Sequence, residues 1–442
     1  MKVCVVGLGY IGFPTACVVA GAGHDVLGVD VDSAVIEKLN NGGLHIVNED
    51  GLADIAFKAF ASGKLRVSGV PEPADVFVIC VPTPAKRGDG APSTADPEKP
   101  YFGADLSFVT RATRDVAPYV REGTLVILES TVPPGTTRHV VRPLLEKGSG
   151  LGCGRDFFLA HAPERVLPGN ILHELVHNDR IVGGVDGESA RRAEAFYRTF
   201  VQGEVVGTDA TTAEMVKLME NTYRDVNIAL ANECALICED LGIDVFAAIR
   251  LANRHPRVNI LKPGPGVGGH CIAVDPWFIV EAAPRQARLI RLAREINSGM
   301  PRHVFSLFAS LASECSAAGH PVEKVAILGA AYKPDVGDDR ESPALEVAHL
   351  VEAAGYRVAI HDPYVGRFSG TPMEEVLRGA DVAMLLTDHT VYRQELTPSV
   401  VKRLLRQPNI VDTRGFLGPE WEEAGFRLVR LGVRSPLHAN VG

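Results

Sequence analysis

Compact apolar runs recur near both ends of the chain, and a long uninterrupted helical pattern fills the middle. Lys2–Val6, Val26–Val29, Val76–Val81, Leu125–Leu128 and Phe157–His161 read as buried strands separated by helical patterns. That βαβ rhythm predicts a parallel sheet with helices on both faces. Val325–Leu328, Val358–Ile360, Val382–Leu386 and Ile410–Val411 repeat it near the C-terminus, with helical stretches such as Pro343–Ala354 between them. In the middle, Ala213–Leu241 contains neither proline nor glycine; Asp209 or Thr211 can cap its start and Gly242 stops it. Roughly 30 residues at 1.5 Å each make a helix of about 45 Å, too long for a crossover in a small sheet. It reads as a spine between domains or as a dimerisation element. A Pro/Gly-rich loop over Lys262–Cys271 and a helix over Gln286–Ser298 follow, and Thr83–Gly103 reads as an exposed loop. The expected architecture is α/β: two doubly wound parallel-sheet domains, residues 1–205 and 313–442, joined by a helical domain, residues 206–312.

Composition narrows the functional classes. The 442 residues are 46% hydrophobic and 22% charged, which excludes a disordered or low-complexity chain. A net charge of -9 argues against a broad nucleic-acid surface but leaves room for a local basic pocket. No apolar run approaches the ~20 residues that span a bilayer, and the start lacks a secretory core, so no membrane role and a cytoplasmic location are expected. The eight cysteines are scattered without a CxxC pair, which favours reduced thiols over disulfides and offers no metal site.

The clearest chemistry begins where the first strand ends. Gly7-Leu8-Gly9-Tyr10-Ile11-Gly12 follows that strand and opens a helix. Its first glycine permits the tight turn, the second lets backbone approach a pyrophosphate, and the third allows close helix–strand packing. Asp30 ends the second strand, where a carboxylate hydrogen-bonds ribose hydroxyls and repels a 2′-phosphate, favouring NAD over NADP. Asp32 competes for that role.

The middle region carries a second set. Gly264-Pro265-Gly266-Val267-Gly268-Gly269 lets backbone pass close to a ligand and runs through His270 to Cys271, with Asp275 four residues on. Lys217 and Asn221 share a face of the long helix, where an ammonium and an amide can stabilise an oxyanion and the lysine can favour a thiolate. A nucleophilic cysteine beside a nicotinamide cofactor suits oxidation through a covalent thiohemiacetal.

On these residues, together with Val81-Pro82-Thr83-Pro84, Glu129-Ser130-Thr131-Val132-Pro133, Pro163-Glu164-Arg165, and Lys333 with Arg340-Glu341-Ser342, the whole chain resembles the nucleotide-sugar 6-dehydrogenases, the family of UDP-glucose dehydrogenase and its N-acetylhexosamine relatives. Asn178-Asp179-Arg180 and Ala252–Asn259 bring it nearest to the branch acting on UDP-N-acetyl-D-mannosamine. The resemblance implies two Rossmann-like domains, NAD as cofactor, a UDP-sugar as substrate, and a homodimer or higher homo-oligomer. It implies oxidation of the sugar C6 hydroxyl to a carboxylate by two NAD⁺, with Cys271 forming first a thiohemiacetal and then a thioester. Lys217 and Asn221 would stabilise the C6 oxyanion, Asp275 would assist proton transfer, and Thr131 and Glu164 would hold and activate the hydrolytic water. Gly7, Gly9, Tyr10, Ile11, Gly12, Asp30, Thr83 and Thr131 would contact NAD. Arg165, Val166, Leu167, Lys217, Asn221, Arg257, Gly268, Tyr332, Lys333 and Arg340 would contact the UDP-sugar, Arg257 across a dimer interface. A uronate product implies a surface-glycan precursor. The sugar stays open between N-acetylmannosamine, N-acetylglucosamine and glucose. A two-electron hydroxyacid dehydrogenase, needing no Cys271, and a non-enzymatic NAD-binding protein are the rival readings.

Overall fold

The computed structural model describes residues 1–46, 49–86, 103–166, 169–269 and 271–433. The described residues fold into two compact units, one built from Met1–Lys86, residues 103–220 and Glu281–Pro284, the other from Asn221–Val280 and residues 285–433.

The first unit holds eight strands: β1 (Lys2–Val6), β2 (Asp25–Val29), β3 (Leu65–Ser68), β4 (Val76–Ile79), β5 (Leu125–Leu128), β6 (Phe158–His161), β7 (Arg180–Gly184) and β8 (Val205–Asp209), in the order β3-β2-β1-β4-β5-β6-β7-β8. Val3 and Val5 of β1 enter one apolar cluster and Cys4 and Val6 enter another, so both faces of the sheet are covered. That is why these strands read as continuous apolar runs rather than alternating patterns. The five strands read from the sequence pair in parallel; beyond them β7 pairs antiparallel to β6, Ala160 opposite Gly184, and β8 runs parallel to β7. Glycine is forced in β7, because a Cβ on Gly184 would strike the Ala190 backbone.

The second unit carries an all-parallel sheet of β9 (Lys324–Leu328), β10 (Arg357–His361), β11 (Val382–Leu385), β12 (Asn409–Asp412) and β13 (Arg427–Arg430), in the order β10-β9-β11-β12-β13. It too is buried on both faces: Val325 and Ile327 pack into one cluster, Ala326 and Leu328 into another.

The long helix spans Ala210–Leu241. Asp209 starts it, its carboxylate accepting from the Thr212 N–H at 3.1 Å. The helix expected over Gln286–Ser298 runs instead from Arg288 to Ala317 with Pro301 inside it. Its apolar stripe, including Val304, Leu307, Phe308 and Leu311, continues past the proline into the core, and that burial outweighs the lost backbone hydrogen bond. Among the described residues no helix is long and apolar enough to cross a membrane.

Candidate active site

In the first unit, the strand ends converge on the glycine-rich turn. Gly7 has φ +92, a conformation open to glycine, and a Cβ there would lie 2.9 Å from the Cys80 carbonyl oxygen after β4. A Cβ on Gly12 would strike the Gly7 carbonyl, whereas Gly9 faces open space. The turn therefore presents bare backbone at Gly9 and the N-terminus of the following helix, the arrangement that accepts a pyrophosphate. Asp30 takes the Leu8 N–H on Oδ2 at 2.7 Å and the Asp32 N–H on Oδ1 at 2.9 Å, which turns its carboxylate toward that loop. Asp32 is spent differently, as the cap of the helix Ser33–Asn40 through the Ala34 N–H. The Thr83 hydroxyl donates to the Thr131 carbonyl at 2.6 Å, and Ser130 Oγ donates to the Val81 carbonyl at 2.7 Å. These bonds tie together the loops after β4 and β5, so Thr83 and Thr131 lie side by side. The residues present fit a dinucleotide with free ribose hydroxyls.

Three acids organise the surrounding loops, and two of them, Glu49 and Glu214, lie outside every motif read from the sequence. Glu49 accepts from the Gly169 N–H at 2.9 Å, the Ile171 N–H at 2.5 Å and the Tyr10 hydroxyl at 3.4 Å, linking the glycine-rich turn to the segment beyond Val166. Glu214 of the long helix takes the Gly135 N–H, the Thr137 N–H and the Thr137 hydroxyl, fixing the loop that follows Thr131 against the turn of helix that bears Lys217. Burial raises the Glu214 carboxyl, with the Thr137 bonds opposing. Glu129 is buried after β5 and belongs to a cluster with Cys80, Glu164, Arg180 and Tyr197.

The expected site residues of this unit are distributed as follows. Glu164 is held at Oε1 by the Arg165 N–H at 2.7 Å and at Oε2 by Arg180 Nη1 at 2.6 Å. The Arg165 guanidinium bonds Glu220 at 2.7 Å and the Asp179 carbonyl. Val166 packs against Val18, Ile171 and Leu175. Lys217 is buried on the long helix. Leu167 lies outside the described residues, as do His270 and most of the loop expected over Thr83–Gly103.

In the second unit the thiol stands at a helix start. Cys271 is exposed, and its carbonyl accepts from the Val274 and Asp275 N–H groups as the chain enters the helix Asp275–Ala282. Asn221 Nδ2 donates to Asp275 Oδ2 at 2.5 Å, so the two expected residues meet directly. A Cβ on Gly268 would lie 2.5 Å from the Glu341 carbonyl, and the Gly269 N–H donates to the Arg340 carbonyl at 3.0 Å. The glycine loop thus lies flat against the segment carrying Tyr332 and Arg340, and both side chains interact electrostatically with Cys271. A buried chain fixes the loop's other end. Arg294 bonds Asp225 at 2.6 Å, Asn297 donates to Asp225 at 2.8 Å, Asn232 donates to Asn297 at 2.9 Å, and Asn232 accepts from the Gly264 N–H at 2.9 Å.

Lys333 is half-buried in the loop that follows β9, and burial, then Arg224, lower its ammonium pKa. Arg340 forks onto Asp338 at 2.9 and 2.6 Å, and that bond raises its guanidinium pKa. Arg257 is exposed on a loop that Asn253 closes by bonding both the N–H and the carbonyl of Ile260.

A dinucleotide turn at the end of β1, with the Asp30 carboxylate beside it, marks an NAD-dependent oxidoreductase. Models of the UDP-glucose/GDP-mannose dehydrogenase family match the chain three times: the NAD binding domain at residues 1–201, the central domain at 211–299 and the UDP binding domain at 326–419. The chain belongs to this family of NAD-dependent nucleotide-sugar dehydrogenases. It is 44% identical over 442 residues to the UDP-N-acetyl-D-mannosamine dehydrogenase of Methanococcus maripaludis, covering 98% of this chain and 97% of that one. It is also 44% identical over 427 residues to the NDP-N-acetyl-D-galactosaminuronic acid dehydrogenase of Ralstonia nicotianae, covering 93% and 95%. The solved structure of the UDP-N-acetyl-D-mannosamine dehydrogenase of Pyrococcus horikoshii matches with a TM-score of 0.87 at 43% identity, covering 98% of this chain and 99% of that one.

Proposed function

We propose that this chain oxidises the C6 hydroxyl of UDP-N-acetyl-D-mannosamine to a carboxylate with two NAD⁺ and one water. The observation that carries the reading is the exposed Cys271 at the start of a helix whose Asp275 is fastened to Asn221. When bound, NAD⁺ accepts one hydride from C6 in each of the two oxidations. Gly7, Gly9, Tyr10, Ile11 and Gly12 shape its pyrophosphate site, Asp30 takes ribose hydroxyls, and Thr83 and Thr131 border the nicotinamide end. Lys217 and Asn221 stabilise the negative oxygen at C6. The Cys271 thiolate adds to the aldehyde, and loss of the second hydride leaves a thioester, so no free aldehyde escapes. Glu164, with Thr131, activates the water that cleaves the thioester and returns the thiol, while Asp275 assists proton transfer. Arg165, Val166, Leu167, Gly268 and Arg257 contact the sugar. Lys333 meets the diphosphate, with Tyr332 and Arg340 beside it.

The long helix exposes Tyr223, Leu230 and Ile237, 72%, 46% and 50% accessible and seven residues apart. An apolar stripe at that spacing suits a second copy of the helix, and we read the working unit as a homodimer. The scattered thiols and the NAD requirement support a cytoplasmic location, where the product serves as a uronate donor for glycan assembly.

Limiting UDP-N-acetylmannosamine, UDP-N-acetylglucosamine, UDP-N-acetylgalactosamine and UDP-glucose, each with excess NAD⁺, decide the reading. Two NADH per molecule of the mannosamine sugar alone supports it. Two NADH from another sugar alone changes only the substrate, and one NADH per sugar removes the thioester.

A further inference from the structure

We propose that Glu129, acting through Arg180, sets how firmly Glu164 is held, so that Glu129 and Arg180 form a positioning pair for the hydrolytic step; this rests on the role proposed above for Glu164. The geometry is one guanidinium between two carboxylates. Arg180 Nη1 donates to Glu164 Oε2 at 2.6 Å and to Glu129 Oε1 at 3.3 Å. The Tyr197 hydroxyl also donates to Glu129 Oε1 at 3.2 Å, and Cys80 Sγ donates to Glu129 Oε2 at 2.9 Å. The guanidinium lies 4.8 Å from the Tyr197 ring centre, so its plane is fixed as well as its end. Glu129 and Arg180 are 2% and 4% exposed, out of reach of water that could screen them.

Two carboxylates cannot both be neutralised by one cation. With a proton on Glu129, Arg180 belongs to Glu164 alone, and its guanidinium occupies Glu164 Oε2. With that proton gone, Glu129 competes for the guanidinium, so Glu164 Oε2 is freed to accept a hydrogen bond from the attacking water. The other groups packed around Glu129 do not take up the difference. Burial raises the Cys80 thiol after β4 and the Tyr197 phenol, so both stay neutral. His161 of β6, in register with Leu128, is pushed by burial down to about 3 and is neutral as well. Arg180 of β7 stays charged: burial opposes the charge, but Glu164, Tyr197 and Glu129 outweigh it. Burial pushes Glu129 up to about 7 against the pull of Arg180, with the charge on Glu164 adding to the rise, so the change falls within the range in which an enzyme of this kind works.

The test is a quench-flow measurement of thioester decay on the full-length enzyme, with UDP-N-acetylmannosamine and NAD⁺, between pH 5.5 and 9. Thioester decay in the wild type should accelerate through an inflection near pH 7. Glu129→Gln keeps the shape and the acceptor but cannot ionise; its decay should lose the inflection and fall about 10-fold below wild type at pH 8.5. Tyr197→Phe removes a donor that favours the Glu129 carboxylate, so it should move the inflection to higher pH. A Glu129→Gln profile that superimposes on the wild type overturns the proposal. Should Glu129→Gln not fold, an unmoved inflection in Tyr197→Phe overturns it equally. Glu164→Gln separates the two claims. Thioester accumulation in that variant, with decay slowed more than 100-fold, upholds the role of Glu164 whatever Glu129 does. Decay at the wild-type rate removes that role and this proposal with it.

Discussion

The two α/β sheets use one topological position in opposite ways. Each begins with a strand followed by a glycine at positive φ, Gly7 at +92 after β1 and Gly329 at +90 after β9. In each, the neighbouring strand is followed by an aspartate, Asp30 after β2 and Asp362 after β10, which accepts from the turn. Beyond that the two diverge. Asp30 is half-buried and takes two backbone N–H groups. Asp362 is fully buried and takes five donors: the N–H groups of Ala330, Ala331, Tyr364 and Val365, and His389 Nε2 at 2.9 Å. His389 in turn accepts the Asp335 N–H on Nδ1 at 2.9 Å. The aspartate that faces the glycine-rich turn in the first unit is thus consumed in the second as a tie for the segment bearing Lys333. Gly329-Ala330-Ala331-Tyr332 also lacks the second and third glycines of Gly7–Gly12. The first sheet offers a bare backbone cradle that the second lacks. A shared fold position does not carry a shared binding mode.

This contrast can be broken most severely at Asp362. Asp362→Ala strands four backbone N–H groups and a buried imidazole, and should cost about 3–5 kcal/mol, seen as a lower urea midpoint. Asp30→Ala should cost only about 1 kcal/mol while raising the KM for NAD⁺ about 10-fold or more, because a charged hydrogen bond to ribose is lost. Equal stability losses at the two positions would contradict the comparison. Lys333→Ala should raise the KM for the UDP-sugar about 10- to 100-fold with the KM for NAD⁺ unchanged, as loss of a charged contact dictates. The pH dependence of stability sharpens the same point. Burial alone would raise the Asp362 carboxyl, but His389 and the backbone N–H groups hold it well below the usual carboxylate range. A depressed acid contributes stability above its unfolded value, and that contribution fades as pH falls toward the folded value. Thermal melts should therefore drop below about pH 4, and Asp362→Asn should flatten that drop. The smallest effect is expected at Gly9→Ala, where a Cβ meets open space: stability should change by no more than about 1 kcal/mol while NAD⁺ binding weakens.

Much of this was legible in the sequence because it is local. Strands buried on both faces announce themselves as apolar runs, and the long helix is bracketed by Asp209 or Thr211 at its start, which the fold resolves to Asp209, and by Gly242 at its stop. β3, β7, β8 and β13 lacked that signal. β8 is a mostly exposed edge, and β7 ends in glycines that neighbouring backbone requires. Alternation could not separate Asp30 from Asp32, since both follow β2; only the fold shows Asp32 capping a helix while Asp30 faces the turn. Arg180 appeared in the sequence as part of a motif, yet its bond to Glu129 spans 51 residues and no periodicity encodes it. Glu49 and Glu214 were invisible for the same reason: their partners lie 120 and 77 residues away. Arg165 reads as a sugar contact in the sequence, and the fold adds its bond to Glu220, an acid that carries no motif.

The most direct test of the account is to catch the substrate on Cys271. The enzyme would be mixed with UDP-N-acetylmannosamine and NAD⁺, quenched in acid within one turnover, and its peptides weighed. The account predicts the mass of the bound UDP-uronyl group on the peptide containing Cys271, and no such mass in Cys271→Ser. Two NADH formed per sugar, with that peptide unmodified at every time point, would contradict it.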